Sequence, residues 1–169
     1  MQTMTPEATR LLIARFDQLK PESSPLWGKM SAGQMLRHLL DSFALAMGER
    51  SASEKSSWAE RNILKHIALR LMTQWPRNVK TRPEMDQELQ GTPPGEFHRD
   101  LEELKTVMLL FANPQRNFRF GRHPVFMELS EWEWMRWGWM HANHHLTQFG
   151  LYRSLLKRRI LTPPTKVIG

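Results

Sequence analysis

The chain has 169 residues, of which 40% are apolar and 24% are charged, a composition typical of one globular domain with a hydrophobic core. It contains no cysteine, which excludes disulfides, thiolate metal ligands and a cysteine nucleophile. The net charge of +7 would permit nucleic-acid binding, but the basic residues are scattered, and the one basic run, 157–159, lies at a predicted helix end where cations complement the helix dipole.

Helix-start and helix-stop signals predict five helices, over residues 5–19, 31–47, 58–74, 96–112 and 130–158. Capping boxes open the second and the last of these helices, at Ser31-x-x-Gln34 and Ser130-x-x-Glu133. The connection 76–95 holds four prolines and two glycines, and long loops of this kind are often functional or mobile.

No segment shows the sustained alternation of apolar and polar residues that is typical of strands, so we expect an all-α protein. The four longer helices suit a four-helix bundle, and helix 58–74 would lie within the long crossover between the second and third bundle members. We expect a single domain over 1–169, with a loose tail from about residue 160.

The last helix carries a pair of histidines that could share a metal ion. His141 and His145 are four residues apart, so on a helix they point the same way. A catalytic zinc-type site needs three protein ligands and an open position. His38 lies mid-helix beside the apolar stripe of the second helix and supplies a third neutral nitrogen. The alternative is a set of core histidines that are only hydrogen-bonded.

Neighbouring polar residues could support these ligands. Asp41, three residues after His38, and Gln148, three after His145, are candidate acceptors for the second ring nitrogens, although an ordinary hydrogen bond elsewhere is equally consistent with the spacing. His144 lies about 60° from the first histidine of the pair at 100° per residue, so it could replace His145 as a ligand. Otherwise His144 is a pocket or interface residue.

Three further residues could shape a pocket near the metal. Trp137 is one turn before the histidine pair and could line a pocket or belong to the core. Gly138 could make room for a substrate above the metal or allow close helix packing. His123, in the loop that feeds the last helix, could reach the pocket mouth or serve as a structural turn histidine.

A histidine inside the second helix, followed by H-x-x-H-H-x-x-Q in the last helix, resembles the DinB/YfiT-like superfamily of proposed metalloenzymes. Strings at 27–31, 123–126 and 148–150 (WGKMS, HPVF and QFG) resemble a branch of it without an assigned activity. The resemblance extends to about residue 153 and implies a four-helix bundle with a divalent metal held by His38, His141 and His145. Zinc, nickel and iron all suit imidazole ligands.

The resemblance implies a metal-dependent enzyme, since the superfamily includes thiol-cofactor-dependent transferases and isomerases. We expect a transferase in which a diffusible low-molecular-weight thiol attacks an electrophilic small molecule, because the chain lacks its own cysteine. A metal-dependent hydrolase is the near alternative, because such a metal can activate water. A non-enzymatic helical module that binds nucleic acid or protein is the third hypothesis, although the scattered basic charge speaks against nucleic acid.

Two further expectations concern association and location. Trp132 and Trp139 lie together on the helix side away from the histidines, and an exposed apolar patch of this kind predicts a homodimer. The N-terminus has no basic region followed by an apolar run, and the longest uncharged apolar run, 107–112, is too short to span a bilayer. We therefore expect a cytoplasmic protein with no membrane partner.

Overall fold

A computed structural model describes residues 1–53, 56–79 and 81–152. This part of the chain contains four α-helices, α1 (Pro6–Phe16), α2 (Ala32–Ala46), α3 (Phe97–Ala112) and α4 (Glu131–Gln148). The connection from α2 to α3 holds two π-helical segments, Glu60–Leu64 and Ile67–Leu71, and a 3-10 turn, Pro83–Met85. Within the described ranges there is no strand, only an isolated bridge between His123 and Met127. The predicted all-α class is confirmed.

The predicted caps fix where the helices begin. Ser31 and Ser130 each accept a hydrogen bond from the backbone N–H three residues on, and the side chains of Gln34 and Glu133 bond back to the cap N–H groups. The side chain of Thr5 likewise accepts a hydrogen bond from the backbone N–H of Ala8 at the start of α1, without a bond in return. These bonds satisfy N–H groups that have no partner within the helix, so the helix starts are specified locally.

The segment predicted as the helix 58–74 has π-helical rather than regular α-helical turns. Its start is nevertheless capped, because Ser57 and Glu60 exchange backbone-to-side-chain hydrogen bonds. Only Ala68 and Leu69 of the two π-helical segments are buried, so little packing holds them in a particular helical form. Wide turns of this type occur frequently at functional sites.

The prediction that the last helix continues to 158 is wrong, because α4 ends at Gln148. The N–H of Leu151 bonds to the carbonyl of Leu146 at 2.8 Å, and the N–H of Gly150 bonds to Thr147 at 3.0 Å. Gly150 has φ +72°, the left-handed conformation that closes a helix in a Schellman motif. The basic run 157–159 and the tail from about 160 lie outside the described residues.

The four α-helices pack in pairs around one core. α1 contacts α3 and α4, and α2 also contacts α3 and α4. The largest buried side chains come from all four helices and include Phe16, Phe43, Phe111 and Trp134. Because α2 lies against α4, the middle of α2 faces the histidine-bearing part of α4. No helix in the described part of the chain is long and apolar enough to cross a membrane.

The two tryptophans expected to form a dimer patch are partly covered within the chain. Trp132 is 38% exposed, and the guanidinium of Arg70 lies 4.9 Å from its ring centroid. Trp139 packs against the core and lies 5.5 Å from the guanidinium of Arg136. The homodimer stays a prediction, but the two rings do not form one bare apolar surface.

Gly138 permits close packing of α4 and does not open the histidine site. A Cβ atom built on it would lie 3.0 Å from Phe111, 3.1 Å from Met4 and 3.3 Å from Phe43. All three neighbours are buried in the core, and the two aromatic rings also pack against each other. Of the two alternatives that the sequence left open for this glycine, close helix packing is therefore the one that the structure supports.

We expect Gly138→Ala to destabilise the protein, because the extra methyl must displace two buried rings. Overpacking of this kind costs about 1–3 kcal/mol, more than the roughly 1 kcal/mol gained in helix propensity. Gly33→Ala is the matched control, since a Cβ there meets Pro94 at 3.4 Å, an ordinary contact. Urea unfolding should show a loss of stability for the first variant and none for the control. Equal stabilisation of both would contradict the packing argument.

Candidate metal centre

Three histidine side chains from α2 and α4 converge on one point. The Nε2 atom of His141 lies 3.0 Å from Nε2 of His38 and 3.2 Å from Nε2 of His145. The nitrogens that the three rings offer all lie within 4.8 Å of one another, and each side chain is buried. These are the three predicted ligands, and together they could hold a metal ion.

Hydrogen bonds set the proton positions of two of these rings. Nδ1 of His38 lies 2.8 Å from the carbonyl oxygen of Met85, so Nδ1 donates and Nε2 carries a lone pair. Nδ1 of His145 lies 2.8 Å from Oε1 of Gln148, as the helical spacing predicts. The amide of Gln148 is oriented in turn because its Nε2 donates to the carbonyl of Trp27 at 3.0 Å. Both rings therefore present an Nε2 lone pair to the cluster.

The third ring, His141, faces the lone pairs of both other rings. A proton on its Nε2 could be donated to only one of these two lone pairs, and a proton on its Nδ1 would leave three Nε2 lone pairs facing each other. Either state leaves a buried Nε2 atom without a hydrogen-bond partner, at about 1–3 kcal/mol. A divalent ion held by the three Nε2 atoms would remove this conflict, so the residues fit a metal. Nδ1 of His141 is buried and has no hydrogen-bond partner among the described residues, and a metal on Nε2 would not supply one.

Burial keeps the three rings neutral. Desolvation lowers the pKa of His38, and it lowers the pKa of His141 and His145 well below the ordinary value of 6.5. The neighbouring imidazoles lower the last two further, because two adjacent positive charges would repel each other. Neutral imidazole is the form that binds a metal ion, so the cluster is ready to coordinate near pH 7.

A cavity of about 660 Å³ adjoins the cluster. This volume lies within the range of small-molecule sites in proteins. Its walls are largely apolar and include Leu45, Leu64, Met72, Trp75, Phe126 and Trp137. The ring of Trp137 lies 4.9 Å from that of His141, so this tryptophan belongs both to the core and to the wall beside the cluster.

The predicted role of Asp41 as acceptor for His38 is wrong. The carboxylate of Asp41 instead accepts hydrogen bonds from Arg50 at 2.8 Å and from the backbone N–H of Thr92 at 2.8 Å. Helical spacing identified a neighbour on the same helix, whereas the actual acceptor, the carbonyl of Met85, comes from the loop 76–95. A backbone carbonyl contributed by a distant loop leaves no signal in the sequence.

Arg50 ties that loop to α2. Its guanidinium bonds to Asp41, to the hydroxyl of Thr92 at 2.9 Å and to the carbonyl of Glu84 at 2.8 Å. Glu84 immediately precedes Met85, so the ion pair fixes the backbone that orients His38. Sequence reasoning missed Arg50, and only the Pro-rich composition of the loop indicated that this region mattered.

His144 lies in the cavity wall and outside the close cluster. It is half-buried, and its ring lies 5.9 Å from that of Trp27 and 6.3 Å from that of Trp75. Desolvation is the main cause that lowers its pKa. Of the two alternatives left open by the helical spacing, His145 is the one whose nitrogen joins the other two.

His123 is both a turn histidine and part of the cavity wall. Its Nδ1 accepts hydrogen bonds from the backbone N–H groups of Val125 at 3.1 Å and Phe126 at 3.0 Å. The ring stacks on that of Phe126 with centroids 4.5 Å apart. The two interpretations offered by the sequence, a turn histidine and a residue at the pocket, are therefore compatible. One edge of the ring holds the loop, and the residue also lines the cavity.

Comparison with known proteins assigns the chain to a family. Residues 3–150 match the family described as "Protein of unknown function (DUF1569)". The match includes all three histidines of the cluster and every α-helix, and the chain belongs to the DUF1569 family. No curated protein and no solved structure matches the chain.

The buried histidines predict that the metal-free protein loses stability in acid. Burial, together with the charge of Arg82, lowers the pKa of His123 from 6.5 to about 3. Below the unfolded pKa the unfolded chain binds a proton that the folded ring does not, so stability falls from about pH 6.5 to about pH 3. The loss for one such ring reaches about 1.4 kcal/mol per pH unit.

Urea unfolding of the chelator-treated protein at several pH values between 7 and 4 measures this effect. We expect His123→Asn to lose stability less steeply than wild type, because asparagine offers Oδ1 to the loop N–H groups but does not titrate. His66→Asn is the control, since His66 is exposed. Identical slopes for wild type and His123→Asn would contradict the assignment.

Proposed function

We propose that this chain is a divalent-metal-dependent enzyme whose metal is held by His38, His141 and His145. The observation that carries the proposal is the convergence of the Nε2 atoms of three buried histidines from two helices in the described part of the chain. A purely structural histidine cluster would be expected to pair its buried nitrogens. The adjoining cavity gives a small molecule access to the open position of the metal.

We further propose that the helices form one DinB/YfiT-like four-helix bundle domain. The pairwise packing of α1 and α2 against both α3 and α4 supports it. The position of His38 in α2 and the H-x-x-H-H-x-x-Q pattern of α4 are the residues that carry the resemblance. Bundles commonly build metal sites from side chains on facing helices, which is the arrangement of these three histidines.

In the proposed reaction the sulfur of a low-molecular-weight thiol loses its proton and bonds to the electrophilic carbon of a small molecule, while the bond from that carbon to its leaving group breaks and the leaving group takes up the proton. A divalent ion held by the three neutral histidines would keep its full charge and would lower the pKa of the thiol, or of a water in the hydrolytic alternative. In this proposal Met85 and Gln148 hold two of the rings in the tautomer that presents Nε2. Trp137 and the other apolar wall residues exclude water from the bound substrate.

A metal-dependent hydrolase is the second candidate, and His144 favours it. This half-buried imidazole lies in the cavity wall, next in sequence to a proposed ligand, and has only ring contacts among the described residues. It is therefore free to accept a proton from an attacking water. A non-enzymatic binding module, a cytoplasmic location and a homodimer stay predictions that no observation in the fold favours.

We expect protein purified without a histidine tag to carry about one divalent ion per chain. His141→Ala should abolish binding, because the two remaining histidines cannot hold the ion alone. His66→Ala, which alters an exposed histidine outside the cluster, is the matched control and should retain the metal. Elemental analysis and thermal unfolding with and without chelator measure both properties. Wild-type protein that stays metal-free after treatment with zinc, nickel and iron would overturn the proposal.

Cobalt-substituted protein separates the two reaction types. Titration with low-molecular-weight thiols should produce a sulfur-to-cobalt charge-transfer band if a thiol occupies the open position. The band should be lost in His145→Ala, which removes a ligand, and retained in His66→Ala. No spectral change with any thiol, together with turnover of an ester or amide, would assign the chain to the hydrolases.

A further inference from the structure

Nε2 of His123, in the cavity wall, has no hydrogen-bond partner among the described residues. Nδ1 of His123 accepts two backbone hydrogen bonds, so the proton of the neutral ring must reside on Nε2. Nε2 lies on the far side of the ring from the loop that Nδ1 holds, and it has no partner among the residues that the structure describes. The side chain is 8% exposed and lines the cavity. A nearly buried N–H group is therefore available to a ligand.

The surroundings of this donor indicate what kind of ligand would meet it. The ring of His123 stacks on Phe126 and lies 5.8 Å from the ring of Trp137. Trp137 in turn lies 4.9 Å from His141, so the indole contacts both the donor ring and a ring of the histidine cluster. A ligand beside these rings contacts apolar surface and meets the fixed N–H donor of His123, and Arg82 also lines the cavity. Pockets of this type fix orientation with a few polar groups.

We infer that the cavity binds an apolar small molecule that carries a carbonyl-type oxygen, and that His123 Nε2–H donates a hydrogen bond to this oxygen. The inference names a substrate class for the proposed enzyme and rests on that proposal only in taking this cavity as the substrate site. The oxygen would lie at Nε2 of His123, on a ring that contacts Trp137. His123 is a substrate-binding residue in this arrangement and does not bind the metal.

The ring of His123 keeps both its neutral state and its orientation. Burial and the charge of Arg82 lower the pKa of His123 to about 3, so the ring stays neutral through the physiological range. Rotation of the ring to present Nδ1 would break both backbone hydrogen bonds and the stack on Phe126. A neutral N–H suits an uncharged acceptor such as a ketone, ester or amide oxygen.

Two ligands of nearly the same shape test the inference, 4-phenyl-2-butanone and n-butylbenzene. Both are titrated into chelator-treated protein, and binding is followed by tryptophan fluorescence, because Trp75 and Trp137 line the cavity. The ratio of the Kd of n-butylbenzene to the Kd of the ketone isolates the contribution of the oxygen. We expect this ratio to fall about two- to tenfold in His123→Asn, the effect of losing one neutral hydrogen bond.

His123→Asn is chosen because asparagine Oδ1 can still accept the two loop hydrogen bonds. Its N–H₂ group then stands at the place of ring Cδ2, nearer the backbone, and no donor remains at the place of Nε2. His66→Asn is the matched control and should leave the ratio unchanged. An unchanged ratio in folded His123→Asn, or no binding of either ligand to wild type, would overturn the inference.

Nitrogen-15 NMR of wild-type protein gives a second test that needs no variant. The His123 Nε2–H resonance should move on addition of the ketone and much less with the alkane. Equal movement with both ligands would contradict the hydrogen bond. Because these measurements use metal-free protein, their outcome is independent of whether a metal binds, and failure of the metal proposal is recognised separately.

Discussion

The contact between α2 and α4 is the constraint on which the candidate site depends. It brings Nε2 of His38 to 3.0 Å from Nε2 of His141 across two helices that are far apart in the sequence. The contact is held by a core to which both helices contribute fully buried side chains, such as Phe43 and Trp134. Converging lone pairs repel each other, so the packing of the core holds the rings in a geometry that they would not adopt alone. A cation held by the three rings, as we propose, would turn that repulsion into attraction and would link the stability of the fold to the site.

A second constraint comes from the loop 76–95, which completes the site from outside the helices. The Asp41–Arg50 pair holds the backbone at Glu84, and the adjacent Met85 carbonyl fixes the tautomer of His38. Residues of the same loop also line the cavity. One stretch of backbone therefore forms part of the cavity wall and carries the carbonyl that orients the ring of His38. Movement of this loop would therefore alter both at once.

Spacing along a helix predicted the relations that helices enforce. The four-residue separation of His141 and His145, and the three-residue separation of His145 and Gln148, correspond to close contacts in the structure. The apolar stripe of α2 correctly indicated that His38 is buried near the core. These relations are local along one helix or depend on which face of a helix is apolar. Both can be predicted from the spacing of residues in the sequence.

The failures concern relations between distant segments and the ends of elements. The acceptor of His38 is a loop carbonyl, and every residue type carries a carbonyl, so no pattern could identify Met85. Gly138 faces aromatic side chains of other helices, which its position within α4 does not reveal. The end of α4 could have been predicted from the sequence, because glycine is the usual helix-closing residue and Gly150 lies within the predicted helix 130–158.

The histidines around the cavity share a chemistry but differ in the partner of each Nδ1 atom, and that partner determines what Nε2 can do. Carbonyl oxygens accept hydrogen bonds from Nδ1 of His38 and of His145. The Nε2 atoms of these two rings therefore carry lone pairs, and both are directed at a common point. Backbone N–H groups donate to Nδ1 of His123, so its Nε2 is a donor. One residue type thus supplies electron pairs at one part of the cavity and a proton at another. A ligand with an electron-rich oxygen is repelled by the first set unless a cation is present and attracted by the second, so the arrangement favours one orientation of the ligand.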